Sequence, residues 1–360
     1  MHSGRCKFLS DWTCAILLTS LPVIASAAVA TEPLSLQSMG VFYVGGVQVE
    51  SPYSDGRNAE FPTSGRTTVS GQAKITFLIP TKVSGANIIL MPGFGLSSSI
   101  YLTTPDGREG WAQYFARQGH PVYVMDLPGR GTATFPIDAI NGCAASDAAF
   151  PCPKEAMLGR TSLEQPWSVW GFGPRFGERF ADSRFPAQPL VQNYIEQFGA
   201  SFEVFVGPAA MGAGRGRDVS VNSLHKVLER VGPSVVVLHS AAGATGFALA
   251  ERNPALFKAI VAIETTSCPK NREDGSSPLA NIPFLAFYGD YVSERTAGGH
   301  PRRYASCKLT AETLAGQGTT AAFVDLPADK KIRGNSHLMM LDDNSDELAE
   351  MIAAWLSFTE

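Results

Sequence analysis

One serine, one histidine and one carboxylate in this chain stand where nucleophilic chemistry needs them. The serine is Ser240. Before it runs Val235-Val236-Val237-Leu238-His239, an apolar and β-branched stretch with the character of a buried strand. After it come Ala241-Ala242-Gly243-Ala244-Thr245-Gly246 and then a helical pattern over 247–252. A serine at the tip of a strand–turn–helix is lifted clear of the sheet and can act as a nucleophile. Small residues must surround such a turn. Ala241, Ala242 and Gly243 supply them on one side, whereas Leu238 departs from that pattern on the other. Alone, the motif fits a turn or helix-cap serine equally well, so the other groups decide.

A serine hydroxyl is a weak nucleophile at neutral pH and needs a base, and the base needs a carboxylate to fix its tautomer and balance its charge. On an open parallel sheet such groups gather at the carboxyl ends of the strands. There are six histidines. His2 lies in the leader, His120 precedes a strand, His225 lies within a helix, and His300 sits in a polar loop. His239 adjoins the serine but points away by strand alternation. His337, in Gly334-Asn335-Ser336-His337 between the last strand and the last helix, is the expected base. The acid is expected to be Glu264, at the end of the strand after the nucleophile helix. The alternative is Asp290, at the end of the next strand; the usual place a few residues beyond it holds Tyr291-Val292-Ser293 and no acid. Two backbone N–H groups must meet the oxyanion. Ala241 should supply one. Phe94 in Pro92-Gly93-Phe94-Gly95 should supply the other, because Pro92 has no N–H.

These groups need a sheet to position them. Strands are expected over 41–49, 73–80, 87–91, 122–125, 235–239, 259–263, 284–288 and 321–326. Helices are expected over 111–118, 219–230, 241–252 and 348–356, with another starting near 310. Buried strands alternating with helices give an α/β fold, a mostly parallel central sheet flanked by helices. From 132 to 216 the alternation stops and aromatics such as Trp167, Trp170, Phe172 and Phe185 accumulate. That stretch reads as an inserted cap between core segments 31–131 and 217–360, with most of its aromatics forming a small core of its own.

Composition narrows the class. The 360 residues are 44% apolar and 17% charged, with net charge −4. No basic run is present, which argues against nucleic acid. Arg5, Lys7, an apolar run over 14–23 and small-x-small sites at 25–30 have the form of a signal peptide over 1–30. Export is therefore expected, secreted or periplasmic, with no membrane contact after cleavage. Beyond Cys6 and Cys14 in the leader, four cysteines remain, and the favoured pairs are Cys143–Cys152 and Cys268–Cys307. No metal or cofactor is expected. There is no Cys-x-x-Cys, the glycine-rich 212–217 reads as a hinge rather than a phosphate loop, and the acidic run 342–347 reads as helix capping.

The segment Gly119-His120-Pro121-Val122-Tyr123-Val124-Met125-Asp126-Leu127-Pro128-Gly129-Arg130-Gly131 resembles the strand-four signature of the α/β-hydrolase superfamily. With Pro105-Asp106-Gly107-Arg108-Glu109-Gly110-Trp111, His239-Ser240 and Gly334-Asn335-Ser336-His337, the chain from about residue 39 onward is most similar to the bacterial esterase 713 family. The resemblance implies an exported carboxylic-ester hydrolase with a Ser–Glu–His triad, a cap and often a homodimer, and it independently favours Glu264. Leu238 and Ala241-Ala242 depart from the family pattern. The expected activity is hydrolysis of small-molecule esters through an acyl-enzyme. Lactone or amide hydrolysis on the same triad, or ligand binding without catalysis, are the alternatives.

Overall fold

The computed structural model describes residues 32–52, 67–145, 158–159, 162–186, 205–206 and 214–359. The expected signal peptide, Cys152 and much of the expected cap lie outside them. Eight strands form one sheet: β1 (Leu36–Glu50), β2 (Thr67–Pro80), β3 (Ile88–Met91), β4 (Val122–Asp126), β5 (Ser234–His239), β6 (Phe257–Ile263), β7 (Phe284–Tyr288) and β8 (Ala321–Asp325). Their spatial order is β1-β2-β4-β3-β5-β6-β7-β8. β2 runs antiparallel to both neighbours, and the strands from β4 to β8 are mutually parallel. The parallel order puts the carboxyl ends of β3, β5, β6 and β7 side by side.

The strands alternate between two cores. Leu90, Val124, Val237, Val261 and Phe287 face one layer with Trp111 and Phe115 of helix α1 (Trp111–Arg117). On the other side, Met91, Val236, Leu238, Ile260 and Phe284 meet Leu224, Phe247 and Leu314. Both faces are therefore dry, which is why these strands read as unbroken apolar runs. Along β1 only alternate residues are covered, and Met39, Val41 and Val47 are exposed.

Six further helices lie among the described residues: α2 (Ile137–Ala145), α3 (Glu164–Val169), α4 (Gly214–Val231), α5 (Ala242–Arg252), α6 (His300–Gly316) and α7 (Ser345–Leu356). Two of them correct the sequence reading. α4 begins at Gly214, inside the glycine-rich segment read as a hinge. α6 begins ten residues before the expected start, so His300 opens a helix rather than sitting in a polar loop. Gly299 at φ +70° and Pro301 in the first turn mark that start. Trp167, Trp170, Phe172 and Phe185 join the core around α1 instead of forming their own. Among the described residues no helix is long and apolar enough to cross a membrane.

The departure at Leu238 is absorbed locally. Its side chain is fully buried, and a Cβ on Gly246 of α5 would lie 2.3 Å from Leu238 Cδ2. The glycine is the space the leucine fills. Gly246→Ala should therefore cost about 1–3 kcal/mol by overpacking, despite the better helix propensity of alanine. In a Leu238→Ala background, itself costing about 2–5 kcal/mol, the same change should become stabilising. Denaturant unfolding of the four-protein cycle measures this, and additive effects would show that the two residues do not compete for that space.

Candidate active site

Ser240 follows β5 directly and adopts φ +52°, a left-handed conformation that a serine holds only when its surroundings enforce it. Its N–H donates to Ile263 O (3.0 Å), and its carbonyl accepts from Gly243 N (3.2 Å) and Thr266 N (3.0 Å). The turn is thus fastened to the end of β6, where Glu264 lies. Facing it is Gly93, in the loop after β3. A Cβ there would stand 2.7 Å from Ser240 Cβ and 2.9 Å from His239 Nδ1, so no side chain fits. The buried Arg130 guanidinium donates to the carbonyls of Gly93 (2.6 Å) and Pro92 (3.4 Å). In a trans peptide C=O and N–H point oppositely, so holding the Gly93 carbonyl also aims the Phe94 N–H. Asp126, at the end of β4, ties the same loop down by accepting from Ser98 N (2.6 Å) and Ser98 Oγ (3.1 Å). Burial pushes that carboxyl up, against the opposing pull of Ser98 and Lys74. Ala241 is the N-cap residue of α5, at the positive end of the helix dipole.

His337 Nδ1 donates to Glu264 Oε2 at 2.7 Å, and both residues are buried. Glu264 also sits at positive φ (+42°), with its N–H on Phe287 O (3.0 Å). Its Oε1 accepts from Gly289 N at 2.8 Å. Arg295 grips both oxygens, Nη1 to Oε2 at 2.7 Å and Nη2 to Oε1 at 3.0 Å. Burial alone would raise the Glu264 pKa. The Arg295 charge, helped by the hydrogen bond from His337, outweighs it and holds the carboxyl well below the usual range. Burial drives His337 in the opposite sense, well below an ordinary histidine.

His239 does not simply point away from the site. Its Nδ1 accepts from Gly93 N–H (3.2 Å), so its Nε2 carries the proton and donates to the His337 carbonyl (3.1 Å). It ties the loop after β3 to the loop bearing His337, and burial lowers its pKa to about 4, which keeps it neutral. His300 lies with Nδ1 3.4 Å from Glu264 Oε2 and its ring edge-on to His337 at 4.9 Å. That approach is too poorly directed for a hydrogen bond, and neither ring nitrogen has a partner among the described residues.

The His337 loop is held from two sides. His337 N–H donates to Trp170 O (2.8 Å), just after α3, and Arg184 N–H donates to Gly334 O (2.9 Å). Within the loop, Asp342 accepts from Asn335 Nδ2 (2.9 Å), Ser336 N (2.8 Å) and Ser336 Oγ (2.7 Å). It is buried rather than a capping residue, and desolvation pushes it up to about 7 against those donors. Asp290 is also occupied with backbone, accepting from Tyr291 N (2.8 Å) and Gly334 N (3.1 Å). The histidine is thus brought to Glu264 and not to Asp290. Arg295 carries no signal of its own in the sequence, whereas Arg130 stands within the strand-four segment, and His300, Trp170 and Asp342 read there as parts of a loop, a cap and a helix start.

The fold agrees with comparison to known proteins. The family model described as the alpha/beta hydrolase fold matches residues 86–302, more than half of the chain. The chain belongs to the α/β-hydrolase fold family. The hydrolase is 31% identical to a bacterial esterase solved at atomic resolution, with a TM-score of 0.79 over 91% of this chain and 98% of that one. It is also 25% identical over 317 residues to the "Probable secreted lipase phiG" of a fungal species (strain ATCC 74256), covering 75% of this chain and 81% of that protein.

In the hydrolase, Glu264, His300 and His337 offer ligand atoms within 4.8 Å of one another, a spacing that could hold a cation. The Arg295 guanidinium already pairs with both Glu264 oxygens and opposes a second positive charge there. A disulfide joins Cys268 to Cys307, fastening the segment after Glu264 to α6. Thr265 Oγ1 lies against both sulfurs (3.4 and 3.3 Å). Cys143 is also disulfide-bonded, and its expected partner Cys152 lies outside the described residues. The 39-residue separation of Cys268 and Cys307 implies that replacing both by serine costs about 4 kcal/mol. Denaturant unfolding of the oxidised protein and the double variant tests this, and equal midpoints would show the bridge to be without weight.

Proposed function

We propose that the hydrolase cleaves carboxylic esters of small molecules through an acyl-enzyme on Ser240. The observation that carries the reading is the 2.7 Å hydrogen bond from His337 Nδ1 to Glu264, at the same sheet edge as the strained Ser240. With its Nδ1 proton engaged by Glu264, His337 presents the lone pair of Nε2. Ser240 Oγ attacks the ester carbonyl as that lone pair takes its proton, and the N–H groups of Phe94 and Ala241 hold the oxyanion. Protonated His337 then gives its proton to the leaving alcohol. A water molecule, deprotonated by the same imidazole, releases the acid and restores Ser240. The similarities to an esterase and to a secreted lipase support this chemistry, as does Gly93, whose missing side chain leaves room beside Ser240. The signal-like leader, the disulfides and the secreted relative support export.

The test is turnover of p-nitrophenyl esters of increasing acyl length. Ser240→Ala should lower kcat by on the order of 10⁴-fold or more, and Glu264→Gln by on the order of 10⁴-fold. Asp290→Asn should cost far less; the reverse ranking would make Asp290 the acid. No turnover of any ester by the folded, oxidised wild type would sink the ester reading.

The pH dependence has a definite sign. The base must be neutral to work, and burial lowers the His337 pKa. Activity should therefore persist below pH 6.5 and fall only further into the acid range. An acid limb of kcat/KM at or above 6.5 would contradict the burial of His337.

A further inference from the structure

Glu264 is fully hydrogen-bonded from one side before it meets the histidine. Gly289 N and Arg295 Nη2 fill Oε1, while Arg295 Nη1 shares Oε2 with His337 Nδ1. Arg295 has nowhere else to go. Its side chain is fully buried, Nη2 also donates to Asp290 O (2.7 Å) and Nε to Tyr291 O (3.3 Å). Gly171 closes over it, since a Cβ there would lie 3.1 Å from Arg295 Cδ. A guanidinium does not give up its proton in a protein, so the cation beside Glu264 is permanent.

We propose that Arg295 is a positioning residue of the hydrolytic site, acting on His337 through Glu264 by fixing the plane of the carboxylate and sharing its charge. The inference rests on the Ser240–His337–Glu264 reading above. A bidentate guanidinium locks a carboxylate in one plane, and that plane is the one that offers Oε2 to His337 Nδ1. In an unshared pair the full carboxylate charge stabilises the imidazolium. Here part of that charge is already engaged, so the imidazolium gains less and the base remains free of its extra proton further into acid.

The groups facing this centre come from each surrounding element. They are His239 on β5, Tyr288 on β7, Asp290 and Arg295 in the loop after β7, and His300 and Arg303 on α6. Burial lowers the pKa of His239, to about 4, and of His300, and raises that of Tyr288. The Asp290 carboxylate is turned to the backbone of Tyr291 and Gly334. Arg295 is thus the cation in direct contact with the acid.

The experiment is the pH profile of kcat and kcat/KM for the full chain with Arg295→Met, which keeps length and loses charge, and Arg295→Lys, which keeps charge and loses the fork. Arg295→Met should move the acid limb upward by about one unit or more. Arg295→Lys should leave the limb near the wild-type position but lower kcat about ten-fold or more, with KM within about two-fold, because the carboxylate is no longer held in plane. If Arg295→Met does not fold, Arg295→Lys decides alone, and a wild-type kcat in that variant overturns the proposal. A folded Arg295→Met with the wild-type acid limb and kcat overturns it as well. Ser240→Ala, run alongside, separates the two failures: activity surviving that change removes the triad reading itself, whereas activity lost there and unchanged at Arg295 removes only the present inference.

Discussion

An ionised carboxylate in a dry interior is the constraint around which this end of the molecule is built. Leaving Glu264 unpaired would cost far more than a single hydrogen bond returns, and its surroundings are accordingly all donors. Those donors arrive on separate pieces of chain: the turn after β7, the loop that follows it, and the loop before α7. Satisfying one charge therefore draws the ends of β6 and β7, the start of α6 and the His337 loop to one point. The disulfide and Thr265 close the same region from the far side.

The loops that bear the proposed catalytic groups are fixed by buried polar groups. Arg130 and Asp126 govern the peptides after β3, Asp342 governs the turn before His337, and His239 joins the two. Each of these residues has hydrogen-bond partners of its own, Arg130 on the Gly93 carbonyl, Asp126 on Ser98, Asp342 on Asn335 and Ser336, and His239 on Gly93 N–H, as a low-dielectric site requires. The result is a set of backbone orientations that need no rearrangement when charge develops, which is the condition under which electrostatic stabilisation is most effective.

Much of this was legible in the chain. The β5 run and the small residues after Ser240 announce the turn. The rule that functional groups gather at strand ends put His337 forward, and Glu264 came ahead of Asp290 because it ends the strand directly after the nucleophile helix, while the usual place beyond Asp290 holds no acid. What escaped was tertiary. Arg295 lies in Tyr291-Val292-Ser293-Glu294-Arg295, a segment whose composition reads as solvated loop, and only the folded chain shows that its guanidinium is sealed in. His300 was obscured because the start signals of α6, Gly299 and Pro301, look equally like a turn. Leu238 looked like a defect in the turn until Gly246, eight residues on, proved to be its counterpart. Asp342 stands in a run of acids that periodicity assigns to helix capping, and its burial depends on Asn335 and Ser336, which sequence cannot place beside it.

The carbonyl of Trp170 accepts the His337 amide, and Arg184 grips the same loop at Gly334 and, through Nε, at Arg333. The stretch 162–186 is therefore stitched to the loop that bears the proposed base. A chimera that transplants the stretch around residues 162–186 from a relative would carry in new hydrogen-bond partners for the His337 loop, and with them a new foundation for the proposed base.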